Sequence, residues 1–600
     1  MIEIKIGPYV QLALRYERLF TEEYRSVVID EQTGLWRIII QYRGSLNVIT
    51  EKYGVTGTDL GVGYAQINIE KDRIAELSND PLISYISLPI DYRYIANNLG
   101  GPAIGNMTVC MNTIYATDVA NPRSVYYSTG RGVLIAVIDS GINYLHPDFI
   151  NEDGTTRIEC IWDQTSSRGT PPTGYSYGTE YTREQINDAL SRPTLQEKME
   201  TVAAHDDYGH GTAVAGIAAG NGRGSRNNVN HGIATEADLI VVKVGSSYEY
   251  APTDLDIMSA VNYSMTIAET LRRPIVILIG EGRNVSSHAG NNELIEYLDK
   301  RCKNWISNIV VGMGNEGDKG AHVSGIVRQN ETTRQQILVE GELRAYAFCI
   351  CTSFVDDIFL TIEAPNGERT EKLSNLTPNR AFLFDNTAVM VNFANSSTTD
   401  GTKIIIVMFQ AQGDGFINTG VWNIRLEGDF ILQGNYDIWG QIISNTGNRT
   451  RFMTADLNKT LVDPASMQNL TSVGACDQNG RRIAAFSGRG YTATNRIKPD
   501  IIAPGIDIVA PSAHSTGYTN ISGTCAAAAF VAGSYAVMLQ AGVIKLEDTS
   551  LSGEALKLYL LKAATRSSSN APYPNNIWGY GVLNVDATME KIMETVNASS

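Results

Sequence analysis

The 600-residue sequence predicts an α/β protein: a doubly wound parallel sheet carrying an N-terminal α+β module and an inserted all-β block. Three observations carry this. Short unbroken apolar runs at 133–138, 239–242, 275–279 and 309–311 read as strands buried on both faces. Segments rich in small and apolar residues, 211–220 and 526–539, read as buried helices, and strands alternating with helices imply a parallel sheet. Between about Ala321 and Asn458 the character changes to strand-length runs separated by turns such as Pro365-Asn366-Gly367 and Gly413-Asp414-Gly415.

In chain order, residues 1–98 form a small module with strands expected at 46–49 and 65–69, a short helix at 71–78 and a further extended run at 81–86. The stretch 93–105, with Asn97-Asn98 and Gly100-Gly101, reads as a linker. Residues 99–320 are the first part of the α/β domain. Residues 321–458 hold strand-like runs at 337–339, 345–355, 358–362, 388–393, 403–409, 421–426 and 438–443, which predict a jelly-roll-like sandwich with no chemistry of its own. The α/β pattern resumes at 470–475, within a second part spanning 459–600.

Composition narrows the function classes. Apolar residues make up 43% and charged residues 19%, which is ordinary for a globular chain. A net charge of −16 argues against a nucleic-acid or anionic-membrane binder, which needs a basic face. Met1-Ile2-Glu3-Ile4-Lys5-Ile6 has no basic region followed by an apolar stretch, so no signal peptide is expected. No run reaches the ~18 apolar residues of a membrane span. Seven cysteines without a C-x-x-C pair suggest a reducing compartment; Cys349 and Cys351 are expected as reduced neighbours on one strand face. Asp148 and Asp163 are the candidates for calcium, but no ligand spacing supports a metal or any other cofactor.

Three glycine-rich segments carry chemistry. Val137-Ile138-Asp139-Ser140-Gly141 ends a buried strand in an aspartate, where α/β sheets place their ligand chemistry. His210-Gly211-Thr212-Ala213-Val214-Ala215-Gly216 offers a base. Ile521-Ser522-Gly523-Thr524-Cys525-Ala526 places a thiol at the start of a small-residue helix, whose dipole should favour a thiolate. Cleaving an acyl group needs a nucleophile, a base that becomes the acid, and donors for the oxyanion. Singly, each residue has a bland reading: a strand-end aspartate, a core histidine, a small buried hydrophobe. A fourth segment, Gly312-Met313-Gly314-Asn315-Glu316-Gly317, matches G-x-G-x-x-G. The residues after it do not read as the helix a dinucleotide site requires.

Together, in the order Asp, His, nucleophile, these segments resemble the signatures of subtilisin-like serine peptidases, with Cys525 where the family has serine. The resemblance covers about residues 100–590 and extends to Phe486-Ser487-Gly488-Arg489-Gly490, to Lys498-Pro499-Asp500 and to His146-Pro147-Asp148. With the N-terminal module and the β insertion, the chain looks most like the clostridial Csp germination proteases, spore proteins that activate a cortex-lytic zymogen. The resemblance implies a subtilisin-like fold and a protein or peptide substrate. It makes residues 1–98 a propeptide, a chaperone and inhibitor whose tail lies in the active-site cleft. It implies Asp139 and His210 acting with Cys525, Asn315 with the Cys525 N–H as oxyanion donors, and a substrate pocket from Leu278, Ile279, Gly280, Gly312, Met313 and Gly314. The tail is expected to be cut between Tyr94 and Gly101, near Asn97 and Asn98, and the protein to be cytoplasmic or spore-associated.

Two departures qualify this. Ala529 stands where many subtilisins carry proline. Cys525 makes a better leaving group than an alkoxide, so a tetrahedral adduct tends to expel sulfur rather than the amine, and amide hydrolysis is expected to be strongly reduced. Such a cysteine is compatible with a natural residue and with one introduced for a native serine. The alternative to an autoprocessing endopeptidase is an impaired pseudoprotease that binds or signals.

Overall fold

A computed structural model describes every residue except 1–4, 31–32, 96–97, 103–106, 246–250, 304, 395–400, 443–449, 568–571 and 600. The chain divides into two compact units: residues 1–90, 283–292 and 319–460, and residues 91–282, 293–318 and 461–600.

The second unit holds the doubly wound sheet. Its strands are β1 (Leu134–Asp139), β2 (Ile158–Asp163), β3 (Thr179–Thr182), β4 (Asp238–Lys243), β5 (Ile275–Ile279), β6 (Ser307–Gly312), β7 (Thr471–Cys476) and β8 (Ile501–Pro504). They lie in the order β8-β7-β6-β5-β1-β4-β2-β3. Every pair is parallel except the edge pair β2–β3. The apolar runs end level with one another: Ile138 pairs with Ile279, which pairs with Val311, and Asp139 pairs with Lys243. The carboxyl ends of β1, β5 and β6 therefore share one edge, where a reaction centre can form.

Three helices bear on that edge: α1 (His210–Ala219), α2 (Asp254–Leu271) and α3 (Thr524–Leu539). All residues of α1 and α3 are buried, as expected for segments apolar all round. Continuing through Lys545, α3 forms a 22-residue segment as long and apolar as a membrane span, contrary to the expectation that no such run exists. Its most apolar window is 89% buried within the fold, which makes it a core helix.

In the first unit, residues 5–90 build a four-stranded antiparallel sheet ordered Thr56–Gly61, Tyr64–Ile69, Trp36–Tyr42, Ile83–Ser87. Residues 46–49, expected as a strand, open the helix Leu46–Tyr53 instead. Leu46, Ile49 and Tyr53 fall on one buried face at helical spacing, and Gly54, at φ 58°, ends the helix in the left-handed conformation. The β-branched pair Val48-Ile49 gave the local strand signal, but Val48 is exposed.

The insertion is a sandwich of a six-stranded and a four-stranded sheet, both antiparallel. Phe348, Val407 and Phe409 of the larger sheet share one core with Leu360, Trp422 and Ile424 of the smaller. Cys349 and Cys351 sit in the strand Ala345–Ser353, both buried and neither in a disulfide. The helix Pro8–Tyr16 packs on this sandwich: Tyr16 donates to the Asn379 carbonyl and Gln412 to that of Leu19. Residues 5–90 and the insertion thus belong to one unit. Residues 91–95, expected with the N-terminal module, group with the α/β unit because Arg93 and Tyr94 pair antiparallel with Gly282 and Glu281.

Candidate active site

Asp139 is the last residue of β1 and His210 the first of α1. The His210 Nδ1 lies 2.8 Å from both Asp139 carboxylate oxygens, and both side chains are fully buried. Glycines allow this approach. A Cβ on Gly211 would sit 2.2 Å from the Gly141 carbonyl, and one on Gly280 would sit 1.8 Å from Asp139 Oδ2. The start of α1 has no side-chain cap from Gly209. Asp206 replaces it, accepting from the Gly209 and Thr212 amides, the Thr212 hydroxyl and the Ser140 hydroxyl at 2.7–2.8 Å. Burial disfavours the His210 imidazolium, but the charge and hydrogen bond of Asp139, the charge of Asp206 and the Ile95 backbone outweigh it and raise the histidine pKa.

Cys525 is the second residue of α3. Its thiol donates to the Gly280 carbonyl at 3.6 Å, while His210 Nε2 has no hydrogen-bond partner among the described residues. The expected thiolate is not what this environment favours. Burial, with the charges of Asp139 and Glu281, pushes the thiol pKa well above its ordinary value, against smaller opposing contributions from the Gly312 and Ile95 backbones. A helix terminus is worth about 0.3–1 kcal/mol at exposed sites, too little to reverse full desolvation.

Asn315 follows β6. Its Oδ1 accepts from the Thr524 amide at 3.0 Å and from the Thr524 hydroxyl at 3.2 Å, which fixes the amide orientation. Nδ2 is left buried without a partner among the described residues. The Cys525 N–H lies in the first turn of α3, where amides lack intrahelical partners. The glycines of 312–317 serve close packing rather than a phosphate: a Cβ on Gly312 would meet Thr524 and the Cys525 amide, and one on Gly317 would meet the Ser487 carbonyl. Leu278 and Ile279 are buried within β5, Gly280 directly follows it, and Met313 is buried just past the end of the neighbouring β6.

The segment 91–95 runs through this site. Tyr92 donates its amide to the Pro252 carbonyl at 2.7 Å, Tyr94 and Arg93 pair with Glu281 and Gly282, and the Ile95 amide donates to the Gly280 carbonyl at 2.8 Å. The Ile95 backbone approaches both His210 and Cys525. A Cβ on Gly282 would strike Ile95 Cδ1 and Val462, and one on Gly314 would strike Val462, so the Ile95 side chain occupies a small apolar recess. Asn97 lies outside the described residues; Asn98 opens a short strand, Asn98–Pro102, that pairs with Tyr518–Ser522 just before the nucleophile turn. Asp148 and Asp163 are occupied by protein donors, Tyr518 and Gly224 for the first and Thr165 for the second.

Sequence reasoning missed Asp206, Thr524, Glu281, Gly282 and Val462. Only Asp206, four residues before the base, had a local signal, as a carboxylate just ahead of a helix without a capping side chain.

The fold is that of a serine-peptidase-type hydrolase, and the chain belongs to the subtilase family, which it matches over residues 130–339 and 440–581. Residues 4–90 match the Csp protease B prodomain. Among solved structures, the CspB protease of Clostridium perfringens superposes with a TM-score of 0.72 and 28% identity, covering 81% of this chain and 99% of that one. The PII-type proteinase of Lacticaseibacillus paracasei is 24% identical over 73% of this chain, and the minor extracellular protease Vpr of Bacillus subtilis 24% identical over 79%. The chain spans about a quarter of the former and about half of the latter.

Proposed function

We propose that this protein has the machinery of an endopeptidase, with Cys525, His210 and Asp139 directed first at its own propeptide after Ile95 and then at a protein substrate, and that cysteine at position 525 holds the cut back. The observation that carries this is the register of residues 92–95, which brings the Ile95 peptide group to the base and the nucleophile. In the reaction, Sγ attacks the Ile95 carbonyl carbon while its proton passes to His210 Nε2. The oxyanion is held by Asn315 Nδ2 and the Cys525 amide. Collapse either breaks the bond to the Ala96 nitrogen, which takes the proton back from His210 and leaves a thioester, or expels sulfur and restores the peptide. Sulfur is the better leaving group, so the second route dominates and the propeptide stays attached. A serine at position 525 reverses that preference. The likeness to Csp proteases supports a spore-associated role in activating a cortex-lytic zymogen.

A buried, neutral thiol without a bond to His210 favours one further reading, an impaired protease that acts by binding. Intact mass and N-terminal sequencing of this chain and of a Cys525→Ser version separate the two. A new N-terminus at Ala96 in the serine form alone supports the protease with a sulfur brake. An uncut serine form supports the binding protein.

A further inference from the structure

The tail carries a tyrosine where the α/β unit has a fitted recess. Tyr94, one residue before Ile95, is 6% exposed. Its ring stacks on Tyr208 at 5.1 Å between centroids and 27° between planes, and lies 6.3 Å from the His210 ring. Its hydroxyl donates to the Val244 carbonyl, with the Gly245 carbonyl 3.3 Å away. The far end of the recess thus presents backbone acceptors at the carboxyl end of β4. A phenyl ring would fill the same volume and leave those acceptors facing carbon. Burying an unpaired polar group is costly, and sites built around a substrate hydroxyl reject the analogue lacking it far better than apolar pockets sort by size.

We propose that Tyr208 and the Val244–Gly245 carbonyls form a tyrosine-reading subsite, so that the protein selects segments with tyrosine immediately before the residue at the cut. The substrate class is then a polypeptide with a Tyr-aliphatic pair at the scissile bond, the pattern of Tyr94-Ile95. The inference rests on the proteolytic reading but is separable from it. Arg93, between the two tyrosines of the tail, is half-buried and pairs with Asp91, so it adds no comparable reading.

The test uses the full chain with Cys525→Ser and compares self-cleavage rates for Tyr94, Tyr94→Phe and Tyr94→Leu, with Tyr208→Ala as a second background. Tyr94→Phe is expected to slow cleavage by about tenfold or more, from the lost hydroxyl partner, and Tyr94→Leu further. In the Tyr208→Ala background, Tyr94→Leu is expected to cost less, because the stack is already gone. Equal rates for tyrosine and phenylalanine, within about twofold, overturn the proposal. If the Cys525→Ser chain with Tyr94 intact is not cut, the proteolytic reading fails, and alkylation of Cys525 in the parent chain reads the subsite instead. Tyr94→Phe then speeds alkylation severalfold by loosening the tail; an unchanged rate overturns the subsite.

Discussion

Asn315 Oδ1 accepts the Thr524 amide at 3.0 Å, which commits the side chain's acceptor end and leaves Nδ2 as a buried donor one residue from the nucleophile's own amide. Such a donor contributes only if it is held before charge develops. In the Cys525→Ser form, Asn315→Ala is expected to slow propeptide cleavage by about 10²–10³, the range known for a subtilisin. Quantifying the cut chain over time by intact mass checks this, with circular dichroism to show that the fold is kept.

Gly280 touches Asp139 more closely than any side chain could. A Cβ there would lie 1.8 Å from Asp139 Oδ2, so Gly280→Ala must displace the carboxylate that holds His210. Overpacking of this kind costs about 1–3 kcal/mol of stability. The expected outcome is a folded protein with a lower melting temperature and, when combined with Cys525→Ser, roughly a hundredfold slower cleavage, since misorienting the base is costly. Thermal unfolding and cleavage rates on one preparation decide it.

Asp206 charges the environment of His210 as well as capping α1. Its charge helps to raise the histidine pKa above 6.5. A general base works when neutral, so cleavage rises with pH through that pKa. Asp206→Asn removes the charge and keeps an acceptor for one of the two amides, which bond to different carboxylate oxygens. The acid limb of the pH–rate profile is therefore expected to move to lower pH when this change is made in the Cys525→Ser form. An unmoved limb would leave Asp206 with a structural role alone.

Glu281 is fully buried, and neither carboxylate oxygen has a partner among the described residues. Burial, then the charge of Asp139, pushes its pKa well above 4.5. The folded chain thus holds a proton that the unfolded chain gives up above pH 4.5. Stability should fall as pH rises from there toward the folded pKa. Glu281→Gln cannot lose that proton, so its melting temperature should fall less steeply over this window. Parallel melting curves against pH are the measurement.

Asp500 joins two buried lysines, 2.7 Å from Lys498 and 2.9 Å from Lys557. Burial drives the Lys498 pKa down to about 7 despite this partner. Asp500→Ala would take the ion partner from buried Lys498, while Lys557 keeps the Gln468 and Leu470 carbonyls; breaking a buried pair costs about 3–5 kcal/mol. Urea unfolding should show it as a lower midpoint.

The proposed catalytic residues were legible because the close approaches they require leave small residues nearby in sequence: Gly141 two after Asp139, Gly209 and Gly211 around His210, and Ala526 after Cys525. Asp139 stood at the end of an apolar run, His210 between glycines and Cys525 before four alanines. The sheet was legible for a related reason: strands buried on both faces read as near-continuous apolar runs. What could not be read depended on distant partners. Whether Val48-Ile49 is strand or helix turned on which residues found a core. The protonation of Cys525 and Glu281 turned on burial, which no local pattern records. The register of Arg93 and Tyr94 against Glu281 and Gly282 joins segments far apart in the chain, so the approach of Ile95 to the nucleophile was two to three residues from the expected Asn97 and Asn98.

The buried helix that carries Cys525 packs on β1, β5, β6, β7 and β8, and every one of those strands precedes it in the chain. A ribosome therefore delivers Asp139, His210 and Asn315 long before Thr524 appears. Between the synthesis of Asn315 and that of Cys525, about a third of the chain, the nascent polypeptide carries the proposed base and oxyanion donor without the thiol. The proposed reaction centre needs that highly apolar helix, so the order of translation leaves its assembly to a late stage of the chain's synthesis.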